Sequence, residues 1–357
     1  MRRVALFVLF TVALVSSAGL CQTSLRVVFF DVGQGDAILL DYGAIEVLID
    51  AGPAGDWVAE LDEYVEGPLE VVVVTHPHAD HIGGVDEVLR RFDVLEVVTS
   101  GATATSEAYA DFTSAVSAEA PRTRTVRRND TISVRGVELH VLNPSTLTGN
   151  ANEDSIVLRL NYGAVSFLFT GDIGTSTETA LQRGGCLSPV TVLKVAHHGS
   201  AYGTSQAFLG LCRPLIAVYS AGLGNRYDHP ATSTLDRLAG AGTQIYGTDD
   251  RGTICVATDG ERVWPLFATS SPSPMPADGA ASCAACLSRL NSTTMMGFDV
   301  IGGIGEVTSA ALVAAQLFNV TACGAAAIEA ALDAVDGIGV VLRQRITRQL
   351  CPELYDK

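Results

Sequence analysis

The chain has 357 residues, of which 39 are acidic and 23 are basic, and its formal net charge at pH 7 is −16. This length suits two domains with buried cores, and a charged fraction of only 17 % excludes a disordered acidic chain. The net charge excludes nucleic-acid binding by bulk electrostatics, because such affinity comes from Lys and Arg side chains that displace counterions. Any contact with nucleic acid must therefore depend on local basic groups.

The N-terminal segment, over positions 1–18, has the pattern of a cleaved secretory signal. Arg2 and Arg3 precede an apolar run over residues 4–15, and residues 16–18 are the small residues that a signal peptidase recognises. An apolar run of about twelve residues is too short to cross a bilayer core of about 30 Å. We therefore predict that the protein is secreted or extracytoplasmic, with Gly19 as the first mature residue.

Cys21 raises an alternative to full secretion. Residues 18–21 approach the sequence at which bacterial lipoproteins are cleaved and lipidated, although Leu20 fits that sequence poorly. Lipidation would tie the protein to the cell surface, whereas full secretion is the favoured prediction. Every later apolar segment is interrupted by glycine or charge before it reaches the length of a membrane span, so the sequence predicts no integral membrane domain.

Predicted strands and helices alternate as far as residue 267. Strands are predicted over residues 25–30, 37–40, 46–49, 71–75, 138–142, 156–160, 165–170 and 190–195. Helical spacing appears over residues 85–92, 107–116, 175–181 and 205–211. Two β-rich halves with intervening helices predict a layered α/β sandwich.

The composition changes abruptly at residue 268. Ser, Pro and Ala dominate residues 268–282, which predicts an extended linker, and the chain beyond is rich in Ala and Gly with helical periodicity. Cys283 and Cys286 could begin a zinc site, but no second such pair follows, so disulfides are favoured in an exported protein. The predicted division is a signal peptide over 1–18, an α/β domain over 19–267, a linker over 268–282 and a small all-α domain over 283–357.

The strongest motif is Thr-His-Pro-His-Ala-Asp-His-Ile-Gly-Gly over residues 75–84, which follows an apolar strand. It brings the imidazoles of His76, His78 and His81 and the carboxylate of Asp80 into one loop. Placing several polar side chains at the end of a buried strand costs free energy, so a purely structural role for them is disfavoured. Imidazole and carboxylate side chains at this spacing suit two adjacent divalent cations.

This H-x-H-x-D-H pattern resembles that of the metallo-β-lactamase fold, an αββα four-layer sandwich. The resemblance implies that Asp50 orients the histidine loop and that Asp172 bridges two metal ions. It also implies a late imidazole ligand from the pair His197 and His198. The sequence leaves the choice between the two open. We favour His198 as the ligand and place His197 near the bond that such an enzyme would cleave, expected here to be that of a phosphate ester.

One ligand of that family is missing from this chain. Its members usually carry a histidine in the segment that matches residues 152–155, and this segment contains none. We predict that the amide oxygen of Asn152 takes part, and an oxygen ligand makes Mn²⁺ a serious alternative to Zn²⁺. His140 is the only histidine in the interval, and we interpret it as an ordinary strand or surface residue.

Five motifs in order narrow the resemblance. They are Phe-Asp-Val-Gly-Gln-Gly-Asp-Ala over 30–37, Asn-x-x-Ser over 152–155, Gly-Asp over 171–172, His-His-Gly-Ser over 197–200 and Asn-Arg-Tyr-x-His-Pro over 225–230. Together they resemble the soluble metallo-β-lactamase domain of the ComEC family of bacterial DNA-uptake proteins. The resemblance covers about residues 25–266 and implies a nuclease that degrades DNA with two divalent ions.

The chemistry expected of such a site is metal-assisted phosphodiester hydrolysis, in which the ions activate a water molecule and clamp phosphate oxygens. Asp80 is a candidate proton acceptor as well as a ligand. His229 or His197 is predicted to hydrogen-bond the developing charge or to protonate the leaving oxygen. Asp31 and Asp36 flank a Gly-Gln-Gly turn that either shapes the floor of the site or is only a tight turn.

The C-terminal segment, over positions 283–357, resembles the tandem helix-hairpin-helix module of the ComEA family of DNA receptors. Gly-Ile-Gly occurs twice, within residues 301–305 and 335–339, and such glycines let backbone amides approach phosphates without reading bases. The predicted DNA contacts are Gly303, Gly305, Gly337, Gly339, Arg343, Arg345 and Arg348, with a second basic run that includes Arg122 and Arg124. The second run is either a groove for the DNA backbone or a solvated edge strand. Tandem hairpins also serve as protein–protein modules or as a compact helical cap.

Other functions remain open at this stage. An exported phosphodiesterase could act on another substrate, such as phosphorylcholine on a cell-wall polymer. A β-lactamase or thiolesterase is disfavoured, because those relatives generally keep the missing histidine. In the remaining alternative, the protein is a non-catalytic extracellular DNA receptor with a vestigial metal site.

Overall fold

Two β-sheets form the centre of the protein in the computed structural model, which describes residues 24–267. The strands of the first half are β1 (Leu25–Phe29), β2 (Ala37–Asp41), β3 (Glu46–Ala51), β4 (Leu69–Val74), β5 (Glu96–Thr99), β6 (Arg122–Thr125), β7 (Thr131–Val134) and β8 (Val137–Asn143). Those of the second half are β9 (Val157–Tyr162), β10 (Val165–Phe169), β11 (Val192–Lys194), β12 (Ile216–Tyr219), β13 (Gln244–Gly247), β14 (Ile254–Thr258) and β15 (Val263–Phe267). One sheet has the order β15-β14-β1-β2-β3-β4-β5-β6 and the other the order β13-β12-β11-β10-β9-β8-β7.

Helices connect many of these strands and cover the outer faces of both sheets. They are α1 (Ala79–Ile82), α2 (Val85–Arg91), α3 (Glu107–Glu119), α4 (Thr175–Arg183), α5 (Gln206–Cys212), α6 (Thr232–Gly240) and α7 (Thr248–Arg251). A 3₁₀ helix, Asp56–Glu63, and a turn over Ala196–Gly199 complete the set within the described range. The order of layers is helix, sheet, sheet, helix, as the sequence predicted.

The continuous apolar strands of the sequence are buried on both faces of their sheets. In β1, Val27 and Phe29 pack into the space between the sheets, while Val28 packs beneath the helices of the first half. In β10, Phe167 points into the inner core and Leu168 into the outer core of the second half. Successive side chains of a strand point to opposite faces, so only a doubly covered sheet buries an unbroken apolar run.

The predicted strands and helices are all present, with ends that differ by a few residues. The sequence did not predict β5, β7, β12 to β15 or the helices α1, α6 and α7, and it offered β6 only as one of two interpretations of the basic run. Most of these strands have only four or five residues, and β6 reads Arg-Thr-Arg-Thr, which lacks the apolar pattern of a buried strand. Edge position explains that pattern, because β6 ends the eight-stranded sheet.

Several predictions fall outside residues 24–267: the signal peptide, the lipidation site, the linker and the hairpin domain with its glycines and arginines. They stay predictions. Within the described range, none of the helices combines the length and apolar character needed to span a membrane. Three cysteines in that range, Cys186, Cys212 and Cys255, are free thiols.

Three acidic side chains are buried together near the start of β3. Asp41 lies directly across from Glu46, and the Glu46 backbone N–H donates to Glu70 Oε2 at 2.9 Å. All three residues are almost inaccessible to solvent. Burial, reinforced by the charges of Glu70, Asp41 and Glu66 and opposed by Arg135, raises the pKa of Glu46 to about 7. A large part of the Glu46 carboxyl groups is therefore protonated at pH 7 in the folded protein.

This raised pKa predicts that stability falls as the pH rises. The folded-state pKa of Glu46 is above its ordinary value of 4.5, so its stabilising contribution is complete below pH 4.5 and is lost above about pH 7. Glu46→Gln should remove this dependence and raise the free energy of unfolding by about 1–2 kcal/mol at pH 8. Urea unfolding between pH 5 and pH 8 measures it, with the exposed Glu261→Gln as control. A wild-type to Glu46→Gln difference that stays constant across this range would contradict the prediction.

Candidate metal centre

The candidate site lies at one edge of the sandwich, where strands of both sheets end. Asp50 stands near the end of β3, and the histidine loop follows β4, which runs parallel to β3. In the second sheet, Asp172 follows β10 and His198 follows the parallel strand β11. Parallel strands end at a common edge, so chain segments that are distant in sequence meet there.

Asp172 is at the centre of the site. Its Oδ2 lies 3.3 Å from His81 Nε2, 3.5 Å from His198 Nε2 and 3.9 Å from His76 Nε2. Asp80 Oδ2 lies 3.3 Å from His198 Nε2. Ligand-type atoms of Asp80, His81, Asp172 and His198 all lie within 4.8 Å of one another. The structure thus gathers four predicted ligands into a space the size of a cation site.

The buried atoms of this cluster suit a cation. His81 Nε2, His198 Nε2 and Asp172 Oδ1 are buried and make no hydrogen bond within the described part of the chain. Such groups are costly to bury unpaired, and imidazole nitrogen with carboxylate oxygen is a donor set for Zn²⁺ or Mn²⁺. The residues present therefore fit the metal that the sequence predicts.

A second group of donors lies beside the first. His76 Nε2 is 3.0 Å from His78 Nδ1, and the two rings meet edge to face. The His76 nitrogen also lies near the Asp172 oxygen that the first group surrounds. Asn152, the predicted substitute for the missing histidine, has a buried side-chain oxygen with no hydrogen bond to any described residue. The imidazoles of His76 and His78 therefore extend the donor set beside the first group.

Asp50 orients the histidine loop. Its carboxylate accepts hydrogen bonds from the Thr75 N–H and hydroxyl, both at 2.7 Å, and contacts His81 Nδ1 at 2.8 Å. These contacts direct His81 Nε2 towards Asp172. Asp50 is buried beneath the loop, which favours an orienting role over one as a catalytic residue in contact with substrate.

The chain has the left-handed conformation at both His197 and His198, and burial distinguishes their side chains. Both residues have positive φ, 51° and 54°, a conformation that costs a non-glycine residue about 1–3 kcal/mol. His198 is buried, and its Nδ1 lies 2.9 Å from the Ser220 carbonyl oxygen. The carbonyl can only accept, so Nδ1 carries the proton and Nε2 is left for a metal. The geometry therefore favours His198 as the ligand.

His197 and His229 lie on the open side of the cluster. His197 Nε2 is 3.7 Å from Asp172 Oδ2, and its side chain keeps 29 % exposure. The His229 ring is centred 5.5 Å from the His197 ring. Burial lowers the pKa of both imidazoles below the usual value, so both are mostly neutral at pH 7. Neutral rings suit hydrogen bonding to a substrate better than proton donation.

Electrostatics binds the buried groups to one another. Burial disfavours a charge on His81 and on His198, but Asp172 and a second carboxylate near each ring raise the pKa of both imidazoles well above its usual range. The same imidazoles overcome burial and hold the pKa of Asp172 well below its usual range. Protons and metal ions compete for the same nitrogen atoms, so metal binding must release protons.

Asp80 differs from a typical general base. Burial opposes its charge, yet the close contact with His198 and the charge of His81 hold the pKa of Asp80 below its usual range. A carboxylate with so low a pKa is a weak base. This favours the ligand role of Asp80 over the proton-acceptor role that the sequence left open.

Asp36 and Lys194 form an ion pair beneath the cluster, and each is 1 % exposed. Asp36 Oδ1 also lies 3.5 Å from His198 Nδ1, so the Gly-Gln-Gly turn does shape the floor of the site. Lys194 further donates to the Gly171 carbonyl at 3.3 Å and lies 3.9 Å from Asp172 Oδ1. Sequence reasoning assigned no role to Lys194, although a lysine in an apolar strand must be paired to be buried.

Two glycines allow the segments of the site to approach. At Gly35, with φ 150°, a Cβ atom would lie 2.4 Å from the Asp80 carbonyl oxygen. At Gly171, with φ 51°, it would lie 2.8 Å from Ser155 Cβ. Ser155 belongs to the segment without histidine: its hydroxyl lies 3.3 Å from His76 Nδ1 and accepts the Asp172 N–H at 3.2 Å.

The remaining predicted residues are outside this cluster. His140 lies on β8, with its Nδ1 3.3 Å from the Thr131 hydroxyl, in agreement with an ordinary strand histidine. Arg122 and Arg124 lie on β6 and both pair with Glu96 of β5, at 3.3 and 3.0 Å. Their position matches the solvated edge strand rather than a dedicated groove.

Two packed sheets between helices, with a histidine and aspartate cluster at their strand ends, define a metal-dependent hydrolase. Residues 30–222 match the sequence model of the metallo-beta-lactamase superfamily. The chain belongs to this superfamily.

Named relatives add a biological context. The chain is 29 % identical over 271 residues to ComE operon protein 3 of Bacillus subtilis. This match covers 70 % of this chain and 34 % of the relative. It is 29 % identical over 234 residues to Recombination protein 2 of Haemophilus influenzae, covering 63 % and 28 % of the two chains. It is 28 % identical over 242 residues to Competence protein ComA of Neisseria gonorrhoeae, covering 65 % and 32 %. The chain thus spans about a third of the length of these relatives.

The solved structures that resemble this chain include Igni18, a metallo hydrolase of the archaeon Ignicoccus hospitalis. It is 17 % identical to this chain, with a TM-score of 0.47, and the match covers 65 % of this chain and 98 % of Igni18.

Proposed function

We propose that the protein is an exported nuclease that hydrolyses phosphodiester bonds of DNA with two divalent ions, Zn²⁺ or Mn²⁺. The observation that carries the proposal is the cluster around Asp172, in which buried imidazole and carboxylate atoms converge without hydrogen-bond partners among the described residues. The kinship to competence proteins supports DNA as the substrate, because competence is the uptake of DNA.

The residues divide the work according to their exposure. Divalent ions bound at the cluster would lower the pKa of a water molecule and neutralise the charge of the phosphate. His76, His78, Asp80, His81, Asp172, His198 and Asn152 are the proposed ligands. His197 and His229 are neutral and lie on the open side, where they can donate hydrogen bonds to phosphate oxygens.

Metal removal and restoration test this function. Protein freed of metal by chelation should be inactive on single- and double-stranded DNA, and Mn²⁺ or Zn²⁺ should restore hydrolysis. A clean preparation that contains no metal and remains inert after either ion is added would overturn the proposal in favour of a non-catalytic receptor. Release of phosphorylcholine from a cell-wall polymer, without DNA cleavage, would support the alternative function of a phosphodiesterase that acts on cell-wall polymers.

DNA contact through the hairpin domain is the second part of the proposal. Replacing Arg343, Arg345 and Arg348 together by glutamine in the full chain should weaken binding. It should also reduce the slope of log affinity against log salt by up to about 3, because each arginine that contacts one phosphate contributes about one unit. Equilibrium binding between about 50 and 200 mM salt measures the slope.

A matched control is the pair Arg90→Gln and Arg91→Gln, because both arginines already pair with acidic side chains. This control should leave the slope unchanged. If the triple variant also keeps the wild-type slope, the three arginines do not hold DNA, and the domain has another role, such as protein binding.

A further inference from the structure

We infer that Arg226 and Tyr227 form a subsite for an unpaired nucleobase and its phosphate, next to the metal centre. This inference rests on the proposed nuclease function and extends it to the form of DNA that the site accepts. It starts from an open cleft of about 460 Å³ whose lining includes Asp80, a predicted metal ligand, together with both residues.

The cleft contains a stacked pair, an exposed tyrosine ring with an arginine guanidinium over it. The Arg226 guanidinium lies over the Tyr227 ring, 4.8 Å from its centroid, and donates a 2.6 Å hydrogen bond to the Tyr227 hydroxyl. Tyr227 is 49 % exposed, a high value for an aromatic side chain. Arg226 is exposed and forms no ion pair with the described acidic residues, in contrast to Arg122 and Arg124. Its charge is therefore available to a phosphate.

The loop that carries the two residues is held in place from within. The Asn225 side-chain oxygen accepts the backbone N–H groups of Tyr227 at 3.0 Å and His229 at 3.2 Å. Its amide nitrogen donates to the Gly222 carbonyl at 2.9 Å and to the His229 carbonyl. The Gly222 N–H in turn donates to the Gln34 side chain at 3.3 Å, which ties this loop to the turn beneath the metal site. A loop ordered in this way loses little entropy when it binds a ligand.

A row of rings connects the subsite to the metal centre. The Tyr227 ring stacks near the His229 ring, with centroids 5.7 Å apart and an angle of 25° between the planes. The His229 ring is centred 6.3 Å from the His198 ring. A phosphodiester at the metal centre would therefore bring a neighbouring nucleotide to Tyr227.

The chemistry selects the ligand. Arginine planes bind nucleobases by stacking, as aromatic faces do, so the exposed side of the Arg226 guanidinium over Tyr227 can stack with any base whose face is free. Bases inside a duplex have both faces covered by their neighbours, so the subsite requires a single strand or a frayed end. A choline group is disfavoured, because the guanidinium over Tyr227 would repel a second cation.

Tyr227→Ala and an abasic substrate test the inference. With Mn²⁺ and a short oligothymidylate, Tyr227→Ala in the full chain should lower kcat/KM by about 10-fold, mainly through a higher KM, because a stacking contact is lost. On the same oligonucleotide with abasic residues in place of the bases, the variant should equal the wild type. Tyr227→Phe keeps the ring and should stay within about 2-fold of wild type on both substrates.

Controls separate this inference from the function on which it rests. Trp264→Ala removes a partly exposed aromatic side chain from the edge strand β15. It should leave kcat/KM on both oligonucleotides unchanged. Metal content of all variants should match the wild type. If wild-type protein cleaves oligothymidylate and Tyr227→Ala is unimpaired, or is impaired equally on the abasic substrate, the base subsite is wrong while the nuclease function stands. If wild-type protein cleaves neither substrate with any added metal, the nuclease function and the subsite are both overturned.

Discussion

Replacing Asp172 by alanine is expected to lower DNA hydrolysis by about 10³-fold or more, because several kcal/mol of transition-state stabilisation depend on the ions that this carboxylate holds. Its Oδ2 lies within 4 Å of His76, His81 and His198, so no other side chain in the described range joins so many of the donors. The variant should also bind fewer divalent ions than the wild type, measured as metal content per chain after gel filtration.

Two companion variants make this experiment decisive. Asp172→Asn keeps the shape of the side chain and loses its charge, so it should lose hydrolysis to the same extent as Asp172→Ala. It therefore serves as the test if the alanine variant does not fold. Asp62→Asn removes an exposed carboxylate that pairs with Arg91, and it should keep full activity and metal content. Equal DNA degradation by wild type and Asp172→Ala would assign the activity to a contaminating nuclease.

Replacing Lys194 by methionine is expected to lower the free energy of unfolding by about 3–5 kcal/mol, because removal of one partner leaves a buried charge without compensation. Burial opposes the charge of Asp36, but Lys194 is the largest opposing influence and helps to lower the pKa of Asp36 to about 2. The same lysine lies 3.9 Å from Asp172 Oδ1, so its loss brings two carboxylates together without their shared cation. Urea unfolding of metal-free protein measures the effect.

A double variant distinguishes the ion pair from simple packing. Lys194→Met combined with Asp36→Asn removes both charges, so it should recover a large part of the lost stability. Arg91→Gln, which breaks an exposed ion pair, should leave the free energy of unfolding close to that of the wild type. If the double variant is as unstable as Lys194→Met alone, the lysine acts through packing and not through its charge.

The candidate site was largely predictable because its residues are chemically unusual where they stand. Histidines and aspartates that directly follow apolar strands indicate a site at the strand ends. The structure brings the histidine loop over residues 76–81 to the same edge as Asp172. The layered α/β sandwich was predictable for a similar reason, since unbroken apolar strands require cover on both faces. Short edge strands such as β6 carry no such pattern, so the sequence offered β6 only as an alternative to a DNA groove.

Other features depend on contacts that no local pattern encodes. The sequence favoured His198 over His197 but left the choice open, and the tertiary structure supports His198 through its burial and through the contact of its Nδ1 with the Ser220 carbonyl oxygen. The pairing of Lys194 with Asp36 joins two positions that are distant in the sequence, and it required the two sheets to be packed face to face.

The sequence by itself determined the chemistry available to this protein: the ligand types, the strand ends that carry them and the family to which they belong. The tertiary structure alone decided which atoms meet, which charges are buried together and that Tyr227 and Arg226 share a cleft with Asp80. The physical reason is that residue identity and strand propensity are local properties, whereas distances and pKa shifts depend on strand register and on the packing of the two sheets.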